Sequence, residues 1–160
     1  MPYLIDGNNL IGHIPYLRLD DPTSKYHLVA QLKVFQRITK RKVILVFDGP
    51  PDLELLGDKN RSKKFLIIYP SIEDNADAVI ETWIEKQTNF KHFTVVSSDR
   101  EIKAFAHMNK AKVIDCDNFY KELKSVLKKF RTKKSMKKTQ NQLSPLEISH
   151  WLEIFESKNE

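Results

Sequence analysis

The sequence predicts an α/β fold: a central, mostly parallel β-sheet with helices on both faces. Three observations predict it. Short runs of apolar and β-branched residues, such as Val43–Phe47, read as strands buried on both faces, as parallel strands are. Stretches with apolar residues at helical spacing alternate with these runs, the order that builds a parallel sheet from strand–helix units. Three of the runs also lead into an aspartate, Asp6, Asp48 or Asp99, where a turn or a helix start follows. A length of 160 residues suits one domain with a short appendage.

In chain order, Pro2–Ile5 is the first strand, and Asp6-Gly7-Asn8-Asn9 follows as a turn because Asp-Gly is a strong turn signal. Ser24 to Thr39 is helical, with Leu28, Leu32 and Phe35 along one face, and Arg41-Lys42 closes it as the helix dipole favours. Val43–Phe47 is the second strand and ends in Asp48-Gly49-Pro50-Pro51. Residues 50–64 form a loop with a basic end at Lys59, Arg61, Lys63 and Lys64. Phe65–Tyr69 is the third strand, and after Pro70-Ser71 a helix opens with Glu73, Asp74 and Asp77. Its Ile72, Ala76, Val79, Ile80, Trp83 and Ile84 recur at helical spacing and face a core. On such a helix Asp74 and Asp77, three apart, share a face. Phe93–Ser97 is the fourth strand, leading through Ser98-Asp99-Arg100-Glu101 into a helix carrying Ile102, Phe105, Ala106 and Met108. Lys112–Ile114 is a short fifth strand. Asp117 then caps a helix whose apolar face is Phe119, Tyr120, Leu123, Val126, Leu127 and Phe130. The domain therefore covers residues 1–130. Residues 131–142 are basic and polar and read as a linker, and 143–160 as a short amphipathic helix started by Ser144-Pro145.

Composition narrows the class. The net charge of +6 and pI near 9.3 favour a polyanionic partner. The single cysteine, Cys116, excludes an internal disulfide and fits a reducing compartment. The N-terminus carries no secretory signal, and no apolar run approaches the roughly 20 residues of a membrane span, so a cytoplasmic protein without a membrane partner is expected. His13, His27, His92, His107 and His150 are scattered without metal-ligand spacing, and no glycine-rich phosphate loop occurs.

In an open parallel sheet, ligands bind outside the carboxyl ends of the strands. Asp6, Asp48 and Asp99 stand at such ends, and Asp74 and Asp77 open a helix after another, so neighbouring strands would bring all five to one edge. Each has a local explanation too. Asp6 and Asp48 precede glycines in turns, and Ser71-x-x-Asp74 and Ser98-x-x-Glu101 match capping boxes. The shared edge is what singles out the set. Carboxylates with no His or Cys partners are hard oxygen ligands that favour Mg2+ or Mn2+. Beside a basic surface, such a site points to phosphodiester chemistry. Asn8 or Asn9 would orient a water or a phosphate, and Ser97 or Ser98 would hydrogen-bond a carboxylate or a water. The basic run Lys121–Lys138 either tracks a phosphate backbone or merely solvates a helix face.

Asp6-Gly-x-Asn9 after a first strand, Val-Phe-Asp48-Gly, Asn75-Ala-Asp77 opening a helix, and Ser97-Ser98-Asp99-Arg100 together resemble the NYN branch of the PIN-like nucleases, and within it the small bacterial YacP-like group. The resemblance runs from about Tyr3 to Leu127. It implies a PIN-like three-layer α/β/α fold and metal-dependent endoribonuclease activity. By position it makes Asp6, Asp48, Asp77 and Asp99 catalytic acids and metal ligands and Asn9 the catalytic amide; Asp74 is a further candidate metal ligand, and the residues themselves put Asn8, Ser97 and Ser98 in support. Lys59, Arg61, Lys63, Arg100, Lys133 and Lys134 are the expected RNA contacts. The expected partner is RNA, either ribosome-associated mRNA or structured RNA, with a homodimer as a further expectation. Two features depart from the family: Asn8 replaces its usual aromatic, and the loop after Asp48 is Pro-rich. An alternative reading is a non-catalytic RNA- or ribosome-binding module with vestigial acids. A DNA-directed flap nuclease is weaker, because the chain is small and has no helical arch.

Overall fold

Five strands form one parallel sheet in the computed structural model, which describes residues 2–57, 60–86 and 93–137, the last four of them by backbone alone. In chain order the elements are β1 (Tyr3–Asp6), α1 (Gly7–His13), α2 (Thr23–Thr39), β2 (Val43–Val46) and β3 (Phe65–Ile68). These are followed by α3 (Ala76–Lys86), β4 (Thr94–Val96), α4 (Arg100–Met108), β5 (Lys112–Ile114) and α5 (Cys116–Lys137). The strand order is β3-β2-β1-β4-β5. The strands start in register, with Tyr3 opposite both Val43 and Thr94, Val43 opposite Phe65, and Thr94 opposite Lys112.

Alternation along the strands divides the core into two layers. Tyr3, Ile5, Val43 and Leu45 pack against α1, α2 and α5 through Leu10, Leu28, Leu32, Phe35, Phe119 and Leu123. Leu4, Ile44, Val46 and Val95 face the other way, onto Ile80 and Ile84 of α3 and Ile102 and Ala106 of α4. The rings of Tyr3, Phe35 and Phe119 meet at centroid distances of 5.3–5.6 Å, which locks α2 and α5 onto β1. The sheet therefore lies between helices on both sides, as the alternation of elements predicts. No helix among the described residues is long and apolar enough to cross a membrane.

Four local expectations change. A helix, α1, begins immediately after Asp6 instead of a turn. Asp6 is its N-cap, and Leu10, Ile11 and Ile14 are buried behind it. Helix α3 begins at Ala76, capped by the Asn75 side chain, which accepts the Ala78 N–H at 2.9 Å. Glu73 and Asp74 thus precede the helix, Ser71 bonds Asp74 within a separate turn, and Ile72 is fully exposed and does not face a core. Helix α5 begins at Cys116, so Asp117 stands in its first turn, where it accepts a hydrogen bond from His13. It also runs on through Lys137 into the stretch expected to be a linker. Residues 131–137 contain no Gly or Pro and are mostly Lys, Arg and Met, good helix formers whatever their charge. Residues 138–160, with the helix expected at 143–160, lie outside the described residues, as do His92 and His150.

Candidate active site

From β1 the chain steps to β2 and β3 on one side and later returns to β4 and β5 on the other. The order therefore reverses at β1, and the crevice between the carboxyl ends of β1 and β4 is the topological switch point. Asp6, the last residue of β1, points into this region with only 5% exposure. Its Oδ2 accepts the Ser97 hydroxyl at 3.2 Å, and its Oδ1 lies 3.5 Å from the backbone N of Asn9. The same Ser97 oxygen accepts the Asp99 N–H at 3.1 Å, so one hydroxyl joins the ends of β1 and β4. Asp99 caps α4, its Oδ1 accepting the N–H groups of Glu101 and Ile102 at 2.9 and 3.1 Å.

The adjacent asparagines fix the neighbouring loops. Asn8 Oδ1 accepts the Asp48 N–H at 2.8 Å, and Asn9 Oδ1 accepts the Ser98 N–H at 2.8 Å together with the Cys116 thiol at 3.1 Å. Ser98 in turn accepts the Cys116 N–H at 3.0 Å through its hydroxyl oxygen, tying the start of α5 to the same corner. Both amide oxygens are therefore engaged by the protein, which makes Asn8 and Asn9 positioning groups. Asp48 Oδ1 accepts the Ala76 N–H at 3.3 Å, holding the first turn of α3, and hence Asp77, beside the β2 end. Gly7 permits the close approach of α1 to β2: a Cβ there would lie 2.6 Å from the Phe47 ring and 2.9 Å from the Val46 carbonyl.

The carboxylates feel one another. Burial, with the charges of Asp77 and Asp99 adding to it, pushes the Asp6 carboxyl up to about 6, against the opposing hydrogen bonds from Asn9 and Ser97. Asp77 is raised as well, first by burial and then by the charges of Asp99, Asp48 and Glu101. The neighbouring charges that chiefly act on both groups, among the described residues, are those of other carboxylates. Asp6, Asp48, Asp77 and Asp99 are thus brought together as the sequence predicts. As the side chains stand, no three His, Cys, Asp or Glu groups among the described residues are arranged to hold a metal ion. Asp74 is exposed in its turn and does not share a helix face with Asp77.

Two charged residues that the sequence reading did not assign to the site, Glu101 and Lys25, also lie here. Glu101 is signalled only by its place two residues after Asp99. Lys25 is 23 residues from Asp48 in the chain, but the first turn of α2 brings its Nζ to 3.4 Å from the Asp48 carbonyl, over the rings of Phe47 and Tyr69. A groove of about 430 Å3 runs past it, between Leu19–Pro22 and Pro50–Asp52. Arg100 is exposed beside Asp99, and neither it nor Lys25 is in an ion pair among the described residues.

The other expected RNA contacts lie elsewhere. Arg61 and Lys63 precede β3, at the amino ends of the strands, the edge opposite the carboxylates. Lys133 is 17 residues into α5, about 25 Å along a helix that starts at the site. Lys59 and the Lys134 side chain lie outside the described residues. Cys116 is buried and its thiol is pushed up to about 11, chiefly by burial, so it is not a nucleophile at neutral pH.

A family model described as a YacP-like NYN domain matches residues 3–156 of the chain. The crystal structure of Rae1 (YacP) from Bacillus subtilis is similar, with a TM-score of 0.71 and 21% identity over 99% of this chain and 92% of that one. A mutant of the same Bacillus subtilis protein gives a TM-score of 0.72 and 18% identity over 94% and 96% of the two chains. At these identities the likeness is one of fold. No curated protein matches the sequence.

Proposed function

This chain belongs to the YacP-like NYN domain family, and from that premise we propose that it is a metal-dependent endoribonuclease, hydrolysing RNA phosphodiester bonds through a carboxylate-held Mg2+ or Mn2+. The observation that carries the reading is Asp6: a buried carboxyl at the switch point, raised further by the charges of Asp77 and Asp99. A hard divalent cation fits that gathered negative charge and this all-oxygen donor set. Asp6, Asp77 and Asp99 would hold it, with Asp48 alongside. When bound, the cation would neutralise phosphate charge and favour ionisation of an attacking water. The protein's own residues do the placing. Ser97 keeps the Asp6 and Asp99 ends in one geometry, Asn8 and Asn9 fix the loops that carry Asp48 and Ser98, and Lys25 and Arg100 flank the acids as phosphate contacts.

One observation favours a second reading, a non-catalytic RNA- or ribosome-binding module: no three acids are arranged at metal-holding distances among the described residues. A cleavage assay separates the two. Purified protein is incubated with labelled RNA, free and on translating ribosomes, in Mn2+ or EDTA, beside folded Asp99→Asn and Asp6→Asn variants. The endoribonuclease predicts cutting in Mn2+ that falls by at least about a hundredfold in each variant, the scale of losing one transition-state contact. Undiminished cutting in both variants, or RNA binding without cutting on either substrate, would overturn it.

A further inference from the structure

Positive charge collects at the edge of the sheet away from the acids. Three strand starts there each bring two lysines: Lys40 and Lys42 before β2, Lys63 and Lys64 before β3, and Lys110 and Lys112 at β5. All but the half-exposed Lys42 are exposed, and none is in an ion pair among the described residues. The segments 40–42, 60–64 and 109–112 contain no Asp or Glu. Lys40 and Lys110 add a second observation. Both adopt left-handed backbone, φ 61° and 60°, at the ends of α2 and α4, where glycine is usual and a side chain is disfavoured. Lysine therefore occupies these two positions against its backbone preference.

We propose that this edge is a second RNA-binding surface, one that takes the phosphate backbone of a duplex or folded RNA segment. The site at the opposite edge is left free for the segment that is cut. Calling the polyanion RNA rests on the endoribonuclease reading; the surface itself rests on the lysines. From β3 to β5 the lysines span four strand spacings, about 19 Å, which is broad enough to follow several phosphates. No described Phe, Tyr or Trp side chain is exposed, so the broad stacking platform that unpaired bases need is missing among these residues, and backbone recognition fits better. The strands alone put about 13 Å between the two edges, so an RNA engaging both must be extended or folded around the domain.

The test measures binding of a labelled RNA hairpin to the full chain by fluorescence anisotropy, in EDTA and over a range of salt. The variants are Lys40→Gly/Lys110→Gly and Lys63→Gln/Lys64→Gln. The glycine pair suits the left-handed backbone, so a melting temperature at or above that of the wild type shows that the fold is kept. Each pair should weaken hairpin binding about tenfold and flatten the salt dependence by close to one unit of slope per lost phosphate contact. Hairpin affinity unchanged in both pairs would overturn the proposal. So would wild-type binding to phosphatidylglycerol vesicles but not to the hairpin, which would assign the surface to a lipid. Cleavage of unstructured RNA in Mn2+, followed in parallel with the wild type, reports on the endoribonuclease reading alone, so the two failures are distinguishable.

Discussion

Asp6 carries an energetic cost while it is ionised. Its carboxyl is buried, so the folded protein prefers it protonated and its pKa rises from 3.8 to about 6. The folded state is therefore favoured below the unfolded value, and that contribution is lost as pH rises through the folded one. From about one pH unit above 6 the penalty is complete, up to about 3 kcal/mol for a shift of about two units. Asp6→Asn keeps an acceptor for Ser97 and removes the charge. It should melt higher than the wild type at pH 7.5 and gain little at pH 4, while losing cleavage. Equal melting temperatures at pH 7.5 would contradict this account. The acids were legible in the sequence because each follows an apolar run or opens a helix, and parallel-sheet geometry does the rest. Lys25 was not legible, since only the tertiary packing of α2 against the β2 end brings it to Asp48. That Arg61 and Lys63 stand apart from the acids was also legible, because residues just before a strand lie at its amino end, away from a site at the carboxyl ends.

At the scale of elements, the short helix α1 acts as a brace. It starts on Asp6 and touches the β2 loop through Asn8 and the β4 loop and α5 through Asn9. Asn9→Ala would leave the Ser98 N–H without its acceptor, a loss of about 1–3 kcal/mol, and loosen the Asp99 loop. Chemical denaturation should register that loss, and cleavage should fall more in rate than in RNA affinity. An unchanged rate would remove Asn9 from the site. The sequence hid α1 because Asp-Gly reads as a turn and a seven-residue helix shows little periodicity. Its signals were Asp6 as a cap and Leu10, Ile11 and Ile14 behind it. The onset of α3 was misread for a related reason: Ser71-x-x-Asp74 has the spacing of a capping box but closes a free turn, and Asn75 does the capping.

At the scale of the whole molecule, the sheet separates two kinds of charge. Its carboxyl edge carries Asp6, Asp48, Asp77 and Asp99, and its amino edge carries paired lysines at three strand starts. The alternation of strands and helices made the parallel sheet predictable. The order β3-β2-β1-β4-β5 was not, because periodicity identifies strands without saying which ones pair. That order decides the site, since it sets β1 beside both β2 and β4 and so lets three strand ends converge.

If these strand-end carboxylates act as one cation site, calorimetric titration with Mn2+ will detect it. At pH 6 Asp6 is about half protonated, and a cation must displace that proton. The wild type should therefore bind Mn2+ with release of about half a proton at pH 6 and almost none at pH 7.5. Binding should be tighter at the higher pH and at least about tenfold weaker in Asp77→Asn. Absence of Mn2+ binding by the wild type, or equal affinity in Asp77→Asn, would rule out a shared cation site at these strand ends.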